Sequence, residues 1–250
     1  MARETQEAMA ELQRRFEAAR PEAVVVLSPH NVHVESAMAV VTAGSLAGGL
    51  ADWGAPAITL KAEVDRELAE QVKASLRAAG IPVVGISFGG NNPHESVHPM
   101  DWAVLVPLWF MGGRSRPPVP VVVVSPARDL TPEAHVAAGR AIAEAAGESG
   151  KRVALIASCD HGHGHRPDGP YGFRPESRVF DDRVVEVVKA DRLSELADFD
   201  PDLVRTAAAD SWWQMLMLAG AIESGWKGEF LSYQHPTYYG MLCAAYAPAG

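Results

Sequence analysis

A short apolar run followed by a histidine-rich loop lies within residues 151–173, which read KRVALIASCDHGHGHRPDGPYGF. The run Val153–Ala157 is rich in branched side chains, which predicts a buried strand. The loop after it carries one carboxylate and three imidazoles: Asp160, His161, His163 and His165. Ligands bind at the carboxyl ends of strands in open α/β sheets, and a histidine there can move protons near neutral pH or bind a metal. We therefore expect a functional site at this strand end.

A second predicted strand also ends in imidazoles. The apolar run Ala23–Leu27 continues into Ser-Pro-His, which places His30 just after the strand and His33 three residues later. A further histidine, His94, lies in a polar loop rich in glycine, asparagine and proline. Each of these histidines has a plain alternative, because a histidine after a strand can be a capping or core residue and one in a loop can lie on the surface.

Strands and helices alternate along the chain, which predicts one α/β domain over residues 1–250. Helices are predicted at residues 3–19, 63–79, 131–148, 177–188 and 210–222. Strands are predicted at residues 23–27, 83–86, 119–125, 153–157, 230–233 and 240–246. Residues 101–111 could form either a helix or a strand. Because the last two predicted elements are strands, we expect a central, mostly mixed sheet flanked by helices.

Composition excludes several classes of protein. The net charge of −9 gives no electrostatic support to binding of nucleic acid or of an anionic membrane. Only two cysteines occur, which argues against a disulfide framework and favours a reducing compartment. No apolar run approaches the roughly 20 residues of a membrane span, and the first residues lack a signal-peptide core. These features predict a cytoplasmic protein.

The candidate site residues suggest metal chemistry. His30 and His163 follow separate strands, and Asp210 stands at the start of an apolar helix, where it could also act as an N-cap. Two imidazoles and a carboxylate are the ligands of an open non-haem iron(II) site, and Zn²⁺ accepts a similar set. A histidine that does not bind the metal could serve as general acid and base. Spacing alone leaves open which histidine has which role.

Three segments resemble the class III extradiol dioxygenases, the superfamily of the protocatechuate 4,5-dioxygenase catalytic subunit. VVVLSPHNVHVE is similar to the family's strand that ends in an iron-binding histidine, which His30 matches. ALIASCDHGHGHRPDGPYGF resembles Ser-x-Asp-Leu-Ser-His-Arg-Leu-x-Pro-Asp-Gly-Pro-Tyr-Gly-Tyr, and this register aligns His163 with the acid–base histidine. ADSWWQMLMLAGAI is similar to the family's acidic helix, with Asp210 nearest to its iron-binding glutamate.

The resemblance implies a class III extradiol dioxygenase-like fold and an enzyme that opens the ring of a catechol-like aromatic with O2. It implies Fe(2+) bound by His30 and Asp210, and His163 as the acid and base. Asp160 and His161 are then expected to orient His163, and we expect three further residues to contact the substrate: His33, Tyr171 and His94. The implied partners are a small aromatic diol and O2, with a homo-oligomer or a partner subunit also possible.

The chain differs from this family at three points, one of which is that Asp210 is shorter by one methylene than the glutamate with which it aligns. The family begins with a strand that ends in another iron-binding histidine, whereas this chain begins at the helix that follows. Asp101-Trp102-Ala103 stands where the family has Asp-His-Gly. Two other functions therefore remain open: a metal-free relative that acts as a binding protein or partner subunit, and a zinc-dependent hydrolase built on the histidine run 161–165.

Overall fold

The computed structural model describes residues 2–92, 94–222 and 225–249. The helices are α1 (Arg3–Ala19), α2 (Arg66–Ala78), α3 (Trp102–Phe110), α4 (Pro132–Glu148), α5 (Pro175–Lys189), α6 (Pro201–Thr206) and α7 (Trp212–Ala221). The strands are β1 (Ala23–Leu27), β2 (Met38–Val41), β3 (Ser45–Leu50), β4 (Ala55–Glu63), β5 (Val83–Ile86), β6 (Val97–Pro99), β7 (Val121–Ser125), β8 (Val153–Ala157), β9 (Trp226–Gln234) and β10 (Met241–Pro248).

The main sheet has five strands in the order β5-β2-β7-β1-β8. β1 runs parallel to both β7 and β8, while β2 is antiparallel to β7 and parallel to β5. The predicted mixed sheet is therefore confirmed, but the reason for it was wrong. The reversal comes from β2, and the late strands β9 and β10 form a separate antiparallel pair. β1 and β7 are fully buried, as expected of central strands covered on both faces.

A second sheet, of order β4-β3-β6, was not predicted from the sequence. β3 reads SLAGGL, and its glycines hide the alternation by which a strand is normally recognised. One of these glycines is required because two backbone segments approach closely: a Cβ atom on Gly48 would stand 1.9 Å from the carbonyl oxygen of Met100. The predicted helix at residues 63–79 begins later than expected, at Arg66, because β4 extends to Glu63 and Asp65 then caps the helix.

The ambiguous segment at residues 101–111 is a helix. Asp101 caps α3, because its side chain accepts a hydrogen bond from the backbone nitrogen of Val104 at 3.1 Å. The hydroxyl of Ser158, just after β8, donates to the carbonyl oxygen of Ala103 at 2.6 Å. The start of α3 is thereby tied to the end of β8, where the histidine loop begins.

Helices α4 and α7 cross at very short range through two glycines. A Cβ atom on Gly139 would lie 1.8 Å from the carbonyl oxygen of Met217, and one on Gly220 would lie 1.9 Å from that of Val136. Neither carbonyl could move aside without shifting its helix, so any larger residue would displace α7. This matters for function because Asp210 stands just before α7.

We expect the protein to lose stability as the pH falls below about 6.5, partly through His135 on α4. This side chain is fully buried, its Nδ1–H donates to the carbonyl oxygen of Thr131 at 2.8 Å, and burial lowers its pKa. The unfolded chain therefore binds a proton that the folded chain resists, which favours unfolding at low pH. His135→Leu removes this titratable group and should reduce the slope of the free energy of unfolding against pH by up to about 1.4 kcal/mol per pH unit. Urea unfolding between pH 5 and 8 measures this, and parallel profiles for both proteins would contradict it.

Candidate active site at the ends of three parallel strands

Three neighbouring parallel strands deliver polar side chains to one edge of the main sheet. Arg128 follows β7, His30 follows β1 and Asp160 follows β8. The segment before α7 reaches the same edge, because the backbone nitrogen of Asp210 donates to the carbonyl oxygen of Asp160 at 2.9 Å. The predicted convergence of His30, the histidine loop and Asp210 is thus a direct consequence of strand order.

His30 is held by a carboxylate. Its Nδ1 contacts Oδ2 of Asp101 at 2.7 Å, while the other carboxylate oxygen caps α3. Because the acceptor is a carboxylate, Nδ1 carries the proton and Nε2 is left as the basic nitrogen. Burial opposes protonation of this ring, but the bond to Asp101 and the charges of Asp160 and Asp210 outweigh it and raise the pKa of His30.

A polar network supports the Asp101 carboxylate from behind. The amide nitrogen of Asn31 donates to the carbonyl oxygen of Pro99 at 3.1 Å and lies 3.5 Å from Oδ1 of Asp101. The amide oxygen of Asn31 in turn accepts from Nε2 of the buried His98 at 3.0 Å. This network anchors the loop that carries His30 to β6.

Asp210 is paired with an arginine. Nη1 of Arg128 lies 2.8 Å from its Oδ1, and Nη2 of the same guanidinium donates to the carbonyl oxygen of Pro29 at 3.0 Å. The guanidinium also stacks on the ring of Trp213, 4.9 Å from its centre. Asp210 therefore does not cap α7; Ser211 occupies that position and makes no capping bond with its side chain.

The carboxyl group of Asp160 is buried among these charges. Burial above all, together with the charges of Asp210 and Asp101, raises its pKa to about 7, and the charge of His30 acts in the opposite direction. This environment favours either a proton or a neighbouring cation. Asp160 therefore interacts electrostatically with His30, Asp101 and Asp210. The hydrogen bond that orients the ring of His163 is made with Ala208 and not, as the resemblance had implied, with Asp160.

His163 is a buried, neutral imidazole in an aromatic surrounding. Its Nδ1–H donates to the carbonyl oxygen of Ala208 at 2.7 Å, which leaves a lone pair on Nε2. Burial lowers its pKa, so the ring is unprotonated at neutral pH. Tyr239 stacks on the ring at 5.6 Å, with Tyr171 at 5.2 Å and Tyr238 at 5.8 Å.

The loop around His163 is fixed by the buried carboxylate of Asp181 on α5. Its Oδ1 accepts from the backbone nitrogen of Gly162 at 2.7 Å, and its Oδ2 accepts from His165 Nε2 at 2.8 Å and from the Tyr233 hydroxyl at 2.5 Å. His165 is therefore a structural residue. The backbone nitrogen of this same histidine donates to the carbonyl oxygen of Tyr238 at 3.1 Å, which brings the tyrosines to His163.

The structure brings most of the predicted site residues together. His30, Asp160 and Asp210 share one cluster, and the charge of Asp210 acts on the pKa of both His30 and His163. His33 lies beside this cluster with its side chain largely exposed, and partial desolvation of the ring, followed by the charge of Arg128, lowers its pKa.

Other predicted residues have different positions. His161 is buried between the rings of Phe180 and Tyr233, at 6.4 and 6.5 Å. His94 does not join the cluster; it is exposed, and its backbone nitrogen is bonded to Asn92 of its own loop. Arg128 was missed, although its position after the apolar strand at residues 119–125 was a signal that could have revealed it.

The imidazole of His30 and the carboxylate of Asp210 are of the types that bind ferrous iron, and they supply two protein ligands. Across residues 2–92, 94–222 and 225–249, no three histidine, cysteine, aspartate or glutamate side chains are grouped so that they could hold a metal ion. His30 and Asp210 nevertheless have the required chemistry, because Asp101 orients the imidazole of His30 in the way that carboxylates orient metal-binding histidines. Within the run 161–165, by contrast, His163 is bonded to Ala208 and His165 to Asp181, so these two imidazoles do not meet at one metal position.

An apolar cavity of about 1120 Å³ reaches the same site. It lies along β8, which is the last strand of the main sheet, and is closed on the other side by α1 and the β9–β10 pair. Its lining includes four residues of the candidate site: Trp102, Asp160, His161 and Tyr239. Among the residues that the structure describes, no helix combines the length and apolar character needed to cross a lipid bilayer.

Comparison with known proteins agrees with this architecture. The chain is 24% identical over 215 residues to Protein CA_C1420 of Clostridium acetobutylicum, covering 86% of this chain and 46% of that relative, so it spans about half of that protein's length. The fold is similar to the crystal structure of uncharacterized protein JW3007 from Escherichia coli K12, with a TM-score of 0.64 and 19% identity over 97% of this chain and 92% of that one. Residues 1–246 match the family described as the catalytic LigB subunit of aromatic ring-opening dioxygenase. This chain therefore belongs to the LigB family of aromatic ring-opening dioxygenases.

Proposed function

We propose that the protein is an extradiol dioxygenase that opens the ring of a catechol-like diol with O2 and uses ferrous iron. The observation that carries this proposal is the neutral His163, held by Ala208 and stacked on Tyr239 beside the acidic cluster that contains Asp210. A general base needs a free lone pair near the proton it removes, and an aromatic ring needs flat apolar surfaces against which to bind. Both conditions are met at this imidazole.

His30 and Asp210 are the proposed protein ligands of the iron. Ferrous iron at this position supplies the redox chemistry by which a closed-shell diol reacts with dioxygen. The protein provides the surroundings: Asp101 accepts the Nδ1 proton of His30 and so leaves Nε2 as the nitrogen that would face the iron, and the buried Asp160 adds acidic character to the site. With only two protein ligands, we expect iron to be held weakly, since metal affinity depends on ligand number.

His163 moves the protons in this proposal. Its Nε2 takes a phenolic proton from the bound diol, and the resulting imidazolium is stabilised by the Ala208 carbonyl oxygen and by the charge of Asp210. The same nitrogen then returns the proton as the ring opens. The stacked Tyr239 and the neighbouring Tyr171 and Tyr238 hold the ring of His163 in one orientation and limit access of water.

β8 is an edge strand of the main sheet, so a further strand that carries a third ligand could pair with its free edge. The strand that the class III family has before its first helix could pair with this edge within the 1120 Å³ cavity. A strand that paired there in parallel would end beside Asp160, where a further imidazole is needed.

Anaerobic loading with Fe²⁺, followed by metal analysis and a panel of catechols in air, tests the proposed function. We expect iron to bind and at least one diol to yield the visible absorbance of a ring-opened product. His30→Ala and Asp210→Asn should lose iron, whereas Asp182→Asn, a change at an exposed carboxylate on α5, should not. Iron-loaded protein that opens none of the diols would contradict the proposal.

A metal-free binding protein is the second candidate, and the Arg128–Asp210 ion pair favours it. A guanidinium 2.8 Å from the proposed carboxylate ligand already supplies a positive charge at the site. This alternative predicts that catechols bind with equal affinity in the presence and absence of iron and are not turned over. Zinc binding together with ester or amide hydrolysis would instead indicate the hydrolase.

A further inference from the structure

Arg128 lies where a bound cation would be expected. It follows β7 at the same sheet edge as His30, and its guanidinium spans the two elements that carry the proposed ligands. Nη1 contacts Oδ1 of Asp210 at 2.8 Å, and Nη2 donates to the carbonyl oxygen of Pro29, the residue directly before His30, at 3.0 Å. Its contact with Trp213 fixes the guanidinium plane.

This ion pair is only partly open to solvent. The side chains of Arg128 and Asp210 are 34% and 22% exposed, so their attraction is less screened than that of a surface pair. The positive charge also reaches His33, whose pKa is lowered by burial and then by Arg128. Asp160 and Asp101 add negative charge around the same space. The guanidinium therefore neutralises part of an acidic cluster that would otherwise attract a dication.

We propose that Arg128 competes with a divalent cation for Asp210, so that this arginine sets how weakly the site holds metal. This inference rests on the proposed function, because it takes His30 and Asp210 as the ligands. A carboxylate that faces a guanidinium attracts a dication less strongly, whether the arginine leaves or stays beside the metal. A charge within about 4–6 Å shifts the protonation of a neighbouring group by roughly 1–3 pKa units, or about 10- to 1000-fold, and metal affinity should respond on a similar scale.

Titration calorimetry with Co²⁺, a dication stable in air, tests the proposal on the full chain. Arg128→Gln and Arg128→Met both remove the charge, and the methionine retains an apolar stem against Trp213. We expect each to bind Co²⁺ at least about tenfold more tightly than the unaltered protein. Arg128→Lys keeps the charge and should not gain affinity. Arg178→Gln, which removes an arginine from an exposed pair of the same 2.8 Å length with Asp182, is the matched control.

Adding Asp210→Asn to either neutral variant should abolish the gain. Equal or weaker Co²⁺ binding by both folded neutral variants, or the same gain in Arg178→Gln, would overturn the proposal. The outcome is separable from the proposed function. Unchanged affinity in the variants of a protein that opens catechol rings overturns only the competition, whereas tighter metal binding without ring opening supports the competition and counts against the dioxygenase. Absence of Co²⁺ binding in every variant overturns both.

Discussion

Replacing His163 with alanine is expected to reduce ring opening by the iron-loaded protein about 10²- to 10⁴-fold, the contribution typical of a general acid and base. The dissociation constant for a catechol should change only a few-fold. The physical reason is that, in the proposed reaction, Nε2 of His163 acts on the diol proton, while the neighbouring tyrosine rings still provide stacking surfaces. Steady-state turnover, combined with equilibrium binding of a catechol in the absence of oxygen, separates the two effects.

His163→Asn is the matched variant for this experiment. Asparagine can still donate a hydrogen bond to the Ala208 carbonyl oxygen, but it cannot take up a proton near neutral pH. A structural role for His163 would therefore be rescued by asparagine, whereas the acid–base role would not. We expect both variants to be equally slow. Turnover by His163→Asn close to that of the unaltered protein would show that another group transfers the proton.

Replacing Asp181 with alanine is expected to lower the free energy of unfolding by about 3–5 kcal/mol, the loss typical of breaking a buried charged network. The side chain is fully buried, and its removal leaves three donors without their acceptor: the backbone nitrogen of Gly162, Nε2 of His165 and the hydroxyl of Tyr233. Each unsatisfied donor costs roughly 1–3 kcal/mol, partly offset by local rearrangement and by water. Denaturant unfolding measures this loss.

Asp182 provides the comparison for Asp181 on the same helix. Its carboxylate pairs with Arg178 at 2.8 Å, but both side chains are more than half exposed, so Asp182→Ala should cost less than about 1 kcal/mol. Asp181→Asn should fall between the two, since an amide keeps one acceptor. Because Asp181 binds the backbone of Gly162 and the side chain of His165, on either side of His163, turnover should fall with stability in the Asp181 variants. Equal stabilities of Asp181→Ala and Asp182→Ala would contradict this account.

Local patterns predicted much of the fold. β1, β5, β8 and α1 have the expected bounds, because a short branched apolar run or a clear amphipathic period reports its own secondary structure. β3 and β4 were not predicted, since glycines in β3 and mixed polarity in β4 obscure their periodicity. β2 was also not predicted, because an apolar run of only four residues has no clear period of its own. The mixed sheet was correctly expected for a wrong reason, because strand pairing between distant segments leaves no local signal.

The amino-acid sequence by itself determined which residue types stand at the ends of β1 and β8 and before α7, whereas the choice of His163 over His161 and His165 came from the resemblance to the class III family. Only the tertiary structure decided what these side chains face. It pairs His30 with Asp101 and Asp210 with Arg128, and His163 forms a hydrogen bond with the Ala208 carbonyl oxygen. The reason is physical: secondary structure follows from neighbours in the chain, whereas hydrogen bonds, burial and pKa shifts depend on groups that folding brings together from distant segments.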